Sequence, residues 1–369
     1  MSHRRISLLA SQAFGSPGGI QTYMRLILHA LEAEARLGEV FSLWDSDSDT
    51  DLQKWLQRAG SSAHCAEGNK LHLVSQCIRH ARSDQIMVVG HLGLSPIALA
   101  LKALGRIRGY VVILHGIEAW CELHGRNELA LRLADGIVAT TPFTRDKFAQ
   151  MNELVPTRIA VLPLAIEQER FQGSYNAPRT RAVNEPMRVV SVARLDSGEQ
   201  YKGIDHTIEA IAQLTERGVD ASYRVVGDGD DRERLERLSQ NLGVTDRVDF
   251  LGRVSDEELR KEFRQADVFS LPSAGEGFGL VYLEAMYYAL PSIACPEGGA
   301  QHVIINGREG LQVPYADPGA LADALERLGE PSLYEELSRR ALEALHTRFS
   351  FDRFRQDFIS IVDRIPCAE

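Results

Sequence analysis

No Cys-x-x-Cys pair occurs in the chain. Its five cysteines, Cys65, Cys77, Cys121, Cys295 and Cys367, are odd in number and widely scattered. That excludes a disulfide framework and points to a reduced, cytoplasmic protein. His64, Cys65, His72, Cys77 and His80 crowd together, but their spacing fits no zinc pattern and reads as packing, so no metal is expected. Long apolar runs are lacking too: nothing approaches the roughly 20 residues a spanning helix needs. The basic start MSHRRISLLA is too short in apolar residues for a signal h-region and reads as a first strand. An excess of positive charge is also missing. A net charge of −10 over 369 residues argues against a general nucleic-acid binder, although one domain could still carry a local basic patch. No G-x-G-x-x-G follows a first strand, since neither GSPGGI nor GDGDDR supplies it, which removes the nicotinamide-dinucleotide fingerprint. There is no low-complexity tract and no short repeat.

The chain is long for one hydrophobic core and comfortable for two. In the first half, strands are expected at Ile6–Ala10, Val40–Trp44, Ile86–Val89, Tyr110–Leu114, Gly136–Thr140 and Arg158–Leu162. Helices are expected from Ile20 to Ala33 and near 51–59, 70–81, 95–105, 126–134 and 142–151. Residues 172–186 are polar, carry two prolines and show no periodicity, so they read as a linker. The alternation then restarts. Strands fall at Arg188–Ala193, Ser222–Val226, Val248–Leu251, Val268–Leu271 and Ser292–Ala294. Helices fall near 204–217, 230–241, 256–266, 279–289 and 317–328, and two more, about 332–348 and 351–364, follow. Strands alternating with helices imply parallel, doubly wound sheets, hence an α/β chain of two Rossmann-like domains. The boundaries expected are 1–178, 186–348 and a terminal segment 349–369.

The densest stretch is LPSAGEGFGLVYLEAMYYAL, Leu271 to Leu290. A buried strand ends there, three alternating glycines turn the chain, and a helix apolar on almost every side runs to Pro291, which stops it. Two carboxylates interrupt it. Glu276 sits in the glycine-flanked turn, where backbone N–H groups at a helix start can face an anion or a sugar hydroxyl. Glu284 sits among apolar neighbours, where an unpaired carboxylate costs several kcal/mol, roughly, and must meet a cation or donor groups. A salt bridge to an arginine and a pair of ligand hydroxyls, as acidic residues take a ribose, both satisfy that requirement.

Other polar residues stand at expected strand ends, where doubly wound sheets bind ligands. Gly18 and Gly19 open the first helix and let a diphosphate approach its N-terminus; such pairs also mark ordinary turns. His115 ends YVVILHG and His91 ends the strand before it. Arg194 ends a strand and Lys202 precedes Gly203 and a helix. A fork and a point charge suit a diphosphate, but two solvated surface charges are the plainer reading. Gly227 lies in a tight turn after Val226, and Arg253 and Val254 follow VDFLG.

Taken whole, EGFGLVYLEAM resembles the E-x-F-G-x-x-x-x-E signature of the family-four retaining glycosyltransferases, here Glu276, Phe278, Gly279 and Glu284. PGGIQTYM resembles the family's PGG segment, and VARLDSGEQYKGIDHTIEA its arginine, loop and Lys-Gly. The loop Asp196–Tyr201 is longer than the commonest form. The resemblance implies the GT-B fold, two Rossmann-like domains facing each other across a cleft, with the last helix crossing back onto the first. It implies transfer of a hexose from a nucleoside diphosphate sugar, UDP- or GDP-linked, to a glycan, lipid-linked or small-molecule acceptor, with no metal and no further cofactor. It gives Gly18 and Gly19, Arg194 and Lys202 the diphosphate, and His115 the donor sugar. Glu276 with the N–H groups of Phe278, Gly279 and Leu280 would orient that sugar, and Glu284 would hold the ribose. Gly227, Arg253 and Val254 would lie beside the nucleotide.

Two departures stand out. Pro163-Leu-Ala-Ile-Glu167 replaces the family's frequent P-N-G-x-D, and Gly298-Gly299-Ala300-Gln301 is followed by His302 where a glutamate is common. A nucleotide-sugar epimerase of the same fold and a non-catalytic sugar-nucleotide binder are the competing readings. Ile97–Arg108 (IALALKALGRIR) pairs apolar residues with Lys102, Arg106 and Arg108 and could rest on anionic lipid, giving a peripheral membrane contact; an ordinary amphipathic helix fits it as well. The acceptor loops 11–18 and 45–69, the base and the oligomeric state carry no readable code.

Overall fold

The computed structural model describes residues 4–14, 18–48, 50–59, 62–166, 177–183 and 185–365, with backbone alone for 54 and 56–59. The turn at 15–17, most of the linker expected over 172–186, Glu167 and Cys367 lie outside the described residues.

The chain forms two compact units, residues 1–167 with 351–369, and residues 168–350. The first holds a parallel sheet of β1 (Ile6–Ala10), β2 (Leu37–Ser42), β3 (Ala63–Cys65), β4 (Ile86–Val89), β5 (Gly109–Leu114), β6 (Gly136–Ala139) and β7 (Ile159–Val161), ordered β3-β2-β1-β4-β5-β6-β7. The second holds β8 (Met187–Val192), β9 (Ala221–Val226), β10 (Val248–Gly252), β11 (Val268–Ser270), β12 (Ser292–Ala294) and β13 (Gly310–Gln312), ordered β10-β9-β8-β11-β12-β13. Both are doubly wound α/β sheets. Strands β1, β4 and β5 are buried along their whole length, as strands covered on both faces must be. One apolar core of the first unit runs from Leu9 and Met87 through Val112 and Leu114 to Phe148.

Helix Phe351–Asp363 belongs to the first unit. Phe354, Phe358 and Val362 are buried. Phe354 meets Tyr23 edge-on at 5.6 Å, and Arg355 pairs with Glu34. Residues 177–183 belong to the second unit: the Arg179 N–H donates to Ser338 Oγ at 2.7 Å and its guanidinium to the Phe263 carbonyl at 2.9 Å. The two units divide at 167/168.

Three local expectations need correction. The second strand spans Leu37–Ser42 instead of Val40–Trp44, and Trp44 stands 58% exposed. His64 and Cys65 lie on the short β3, a strand absent from those expected; His64 is stacked between Phe41 and His80 and bonded to Glu39. The buried helix of the signature stretch ends at Tyr287, ahead of Pro291. Ala289 turns left-handed (φ 57°) and the Leu290 N–H reaches back to the Ala285 carbonyl at 3.1 Å, a Schellman-like closure.

The segment Ile97–Arg108 has its features engaged within its own unit. Ile97 and Leu99 pack on the core, Lys102 is held by Asp135 at 2.7 and 2.8 Å, and Arg106 bonds the Ile78 carbonyl. Among the described residues no helix is long and apolar enough to cross a membrane.

Candidate functional site

The second sheet reverses its winding at β8, which has β9 on one side and β11 on the other. Such a switch point leaves a crevice beyond the carboxyl ends of the strands, and five loops meet there. Gly227 lies against the backbone of Ala193: its φ is 132°, and a Cβ on it would stand 1.8 Å from the Ala193 carbonyl oxygen. Its N–H donates to the Gly252 carbonyl at 2.8 Å, and the Asp231 N–H to the Leu195 carbonyl at 2.9 Å. Asp230 accepts from the N–H and the hydroxyl of Ser197, each at 2.7 Å. On the other side, the Ala274 N–H donates to the Tyr201 carbonyl at 2.9 Å, and the Gly299 N–H to the Glu276 carbonyl at 2.6 Å. Loops after β8, β9, β10, β11 and β12 are therefore bound backbone to backbone.

Arg194, Lys202 and Glu276 stand on these loops. The stretch read as an overlong loop is ordered: Ser197–Lys202 forms two short 3-10 turns that meet at a kink at Glu199 (φ −117°, ψ 28°), and Asp196 caps the first, its side chain accepting from the Gly198 N–H. The kink sets Glu199 three residues ahead of Lys202, close enough for the two side chains to pair. Glu199 bonds both cations: Lys202 Nζ lies 2.7 Å from Oε2, and Arg194 pairs with Oε1. Lys202 is 15% exposed and Arg194 63%. Burial pushes the Glu199 carboxyl up, but its bonds to Arg194 and Lys202 more than offset this and hold it below the usual carboxylate value. Sequence reasoning missed Glu199; a glutamate three residues before the lysine was the available signal.

A second ring of charge braces the turn from below. Arg234 grips Asp231 at 2.6 and 2.7 Å and reaches Asp205 at 3.1 Å, and Gln200 donates to Asp231 at 3.2 Å. With Arg194, Glu199 and Lys202, these residues line a small pocket.

Glu276 is partly exposed in the next loop, with the Ser273 hydroxyl 3.5 Å from Oε1. Burial of its carboxyl raises its pKa above the ordinary value; nearby Lys202 draws it back and Glu199 pushes it further up. Phe278 is buried against Phe349, ring centres 5.9 Å apart. Gly279 (φ 87°) precedes helix Leu280–Tyr287, on which Glu284 is buried to 7% exposure, as its place in the sequence requires. Arg253 is exposed and Val254 half-buried just beyond β10.

In the first unit the winding reverses between β1 and β4. Helix Gly19–Ala33 begins there with no side-chain cap, and a Cβ on Gly19 would meet nothing within 4 Å among the described residues. The buried His115 ring lies edge-on to Tyr23 of that helix at 5.3 Å. Its Nε2 is 2.8 Å from the Gly90 carbonyl oxygen. A carbonyl only accepts, so Nε2 carries the proton and Nδ1 keeps an acceptor lone pair. Burial lowers the pKa of this ring from the ordinary histidine value, against the pull of Glu118, and so favours the neutral form. His91 is turned to its own loop, its Nδ1 accepting from the Gly93 N–H at 3.0 Å.

Nucleophilic cysteine chemistry has no support in the buried thiols: burial pushes Cys65, Cys77 and Cys295 up to about 12. Among the described residues no group of three His, Cys, Asp or Glu is arranged to hold a metal.

Two doubly wound parallel-sheet units in one chain fit the GT-B architecture. HepE of Anabaena, solved in complex with UDP, superimposes with a TM-score of 0.77 at 18% identity, over 97% of this chain and 99% of that one. Residues 176–344 match the family described as Glycosyl transferases group 1. The alpha-D-kanosaminyltransferase of Streptomyces kanamyceticus is 30% identical over 242 residues, 63% of this chain and 60% of that protein. A GDP-mannose-dependent alpha-(1-6)-phosphatidylinositol monomannoside mannosyltransferase of Mycolicibacterium smegmatis is 29% identical over 341 residues, 85% and 86% of the two chains. The chain spans 60%, 54% and 48% of the length of the first three curated relatives it matches. Residues 176–344 are thus similar to the group 1 glycosyl transferases, and the chain as a whole has the fold of the GT-B glycosyltransferases and resembles their family-four type.

Proposed function

We propose that the chain transfers a hexose from a nucleoside diphosphate sugar to a sugar or lipid-linked acceptor, with retention of the anomeric configuration and without a metal. The observation that carries this reading is the pair Arg194 and Lys202, fixed by interlocked loops at the switch point of the second sheet. A departing diphosphate needs its new charge stabilised by groups already in place, and these two cations are in place. Glu276 and the N–H groups of Phe278, Gly279 and Leu280 orient the sugar. Buried Glu284 takes the ribose hydroxyls; Gly227, Arg253 and Val254 lie along the nucleotide. In the first unit, Gly18 and Gly19 offer backbone N–H groups to phosphate, and His115, with Nδ1 free to accept, takes a sugar hydroxyl.

The bond from the anomeric carbon to the diphosphate breaks as the acceptor oxygen bonds to the same face. The proton of that acceptor hydroxyl passes to the departing phosphate oxygen. This route is the family's; a retaining glycosidase would instead use a carboxylate on the far face of the ring. NMR of the product is expected to show the anomeric configuration of the donor, and an inverted product would rule the route out.

Thermal shift against UDP, GDP, ADP and NAD is the first test. At about a hundredfold excess over Kd, a ligand specific for the folded state adds roughly 2.7 kcal/mol. One sugar-donor nucleotide is expected to raise Tm, and Glu284→Ala to abolish that rise. A shift with NAD alone, or with none of the four, would overturn the transferase reading. A shift without turnover of any donor sugar would leave a sugar-nucleotide binder.

A further inference from the structure

We infer that Glu199 is a resident counter-ion of the donor site, which the diphosphate must displace, so that this residue sets how tightly the donor and the spent nucleotide are held. The inference rests on the assignment of Arg194 and Lys202 to the diphosphate.

The two cations meant for phosphate are not waiting in solvent. Lys202 Nζ is 2.7 Å from Glu199 Oε2, and Arg194 grips the same carboxylate at both oxygens, Nη2 on Oε1 and Nε 3.3 Å from Oε2. One carboxylate thus occupies both ends of the pair, in the bridging manner a phosphate would use. Its backbone is not free to carry it away. Asp196 caps the turn, Asp230 holds Ser197 from two sides, and Gln200 is tied to Asp231, itself clamped by Arg234. Displacement therefore falls to the Glu199 side chain alone, which is half-buried.

Two negative groups cannot share two cations without mutual repulsion, and in a half-buried setting that repulsion is poorly screened. Binding becomes an exchange of one anion for another. The carboxylate lowers affinity for any diphosphate, and it returns to the cations when the spent nucleotide leaves. A merely positioning Glu199, which aligned the two cations for phosphate, would act in the opposite direction.

Isothermal titration of the full chain with UDP, GDP and inorganic pyrophosphate separates these outcomes. Glu199→Gln keeps two polar atoms in place and removes the charge. It is expected to tighten binding of pyrophosphate and of the accepted nucleotide at least about fivefold, within the usual range of coupling between sites. The gain should shrink as salt is raised. Glu199→Asp, which keeps the charge, should stay near the parent. In turnover, Glu199→Gln should lower the donor KM and strengthen inhibition by the free nucleoside diphosphate. Unchanged or weaker binding by a folded Glu199→Gln overturns the counter-ion role while leaving the donor site standing. Failure of parent and variant alike to bind any of the three anions overturns the donor assignment and this inference with it.

Discussion

Lys202→Ala is expected to lower turnover by about a hundred- to a thousandfold, the usual cost of removing one fixed group from a site where charge develops. The side chain is 15% exposed, so once the diphosphate has displaced Glu199 its ammonium meets the departing phosphate with little competing water. Substitution leaves the turn intact, because Asp196, Asp230 and Gln200 secure it independently, and Glu199 keeps Arg194. Tm should therefore fall only slightly while kcat collapses. Lys202→Arg should not restore the rate, since a planar fork does not reproduce a compact point charge. Steady-state kinetics with the donor found by thermal shift would decide. A loss of less than about tenfold, outside the range for such a group, would move Lys202 out of the chemistry.

Gly299→Ala is expected to damage both stability and donor binding. A Cβ there would lie 1.9 Å from the Gly277 carbonyl oxygen, and the same residue's N–H holds the Glu276 carbonyl at 2.6 Å. The neighbour is backbone, so it cannot swing aside, and the loop carrying Glu276 must move. Overpacking of this kind costs about 1–3 kcal/mol, which lowers Tm by roughly 2–12 °C for a unit of this size. Gly310→Ala is the matched comparison: its Cβ would meet the Ser292 carbonyl at 1.9 Å, between β12 and β13. It should cost comparable stability yet leave the nucleotide-induced shift intact. Equal nucleotide shifts in the two variants would mean that Glu276 does not need its loop where it is.

The alternation of strands and helices was legible because parallel strands buried on both faces leave continuous apolar runs, such as Ile86–Val89 and Gly109–Leu114. The strands that escaped notice, Ala63–Cys65 and Gly310–Gln312, are three residues long, too short for any period to declare itself. At β2, Gly38 and Glu39 break the apolar run, so its start was read too late. The site was legible wherever residue type alone constrains the environment. Glu284 in an apolar helix could only be a buried, partnered acid, and Gly227 read as a tight turn, where it has φ 132°. The spacing of Glu199 three residues before Lys202 was too weak a signal alone, because its importance comes from the turn that brings it against Arg194 and Lys202. In sequence it is one acid among many on an acidic chain.

The helix Phe351–Asp363 completes the unit that begins at the other end of the chain. Helix Gly19–Ala33 contributes Tyr23 to it, and Glu34 just beyond receives Arg355. A ribosome releases residues 168–350 before the segment that finishes residues 1–167. Domains ordinarily fold in the order they emerge; here the later unit can close first. Until Phe354, Phe358 and Val362 arrive, the earlier one holds an uncovered apolar seam. During synthesis that seam is the chain's point of exposure to chaperones and to aggregation, and a fragment cut before residue 351 would carry it permanently.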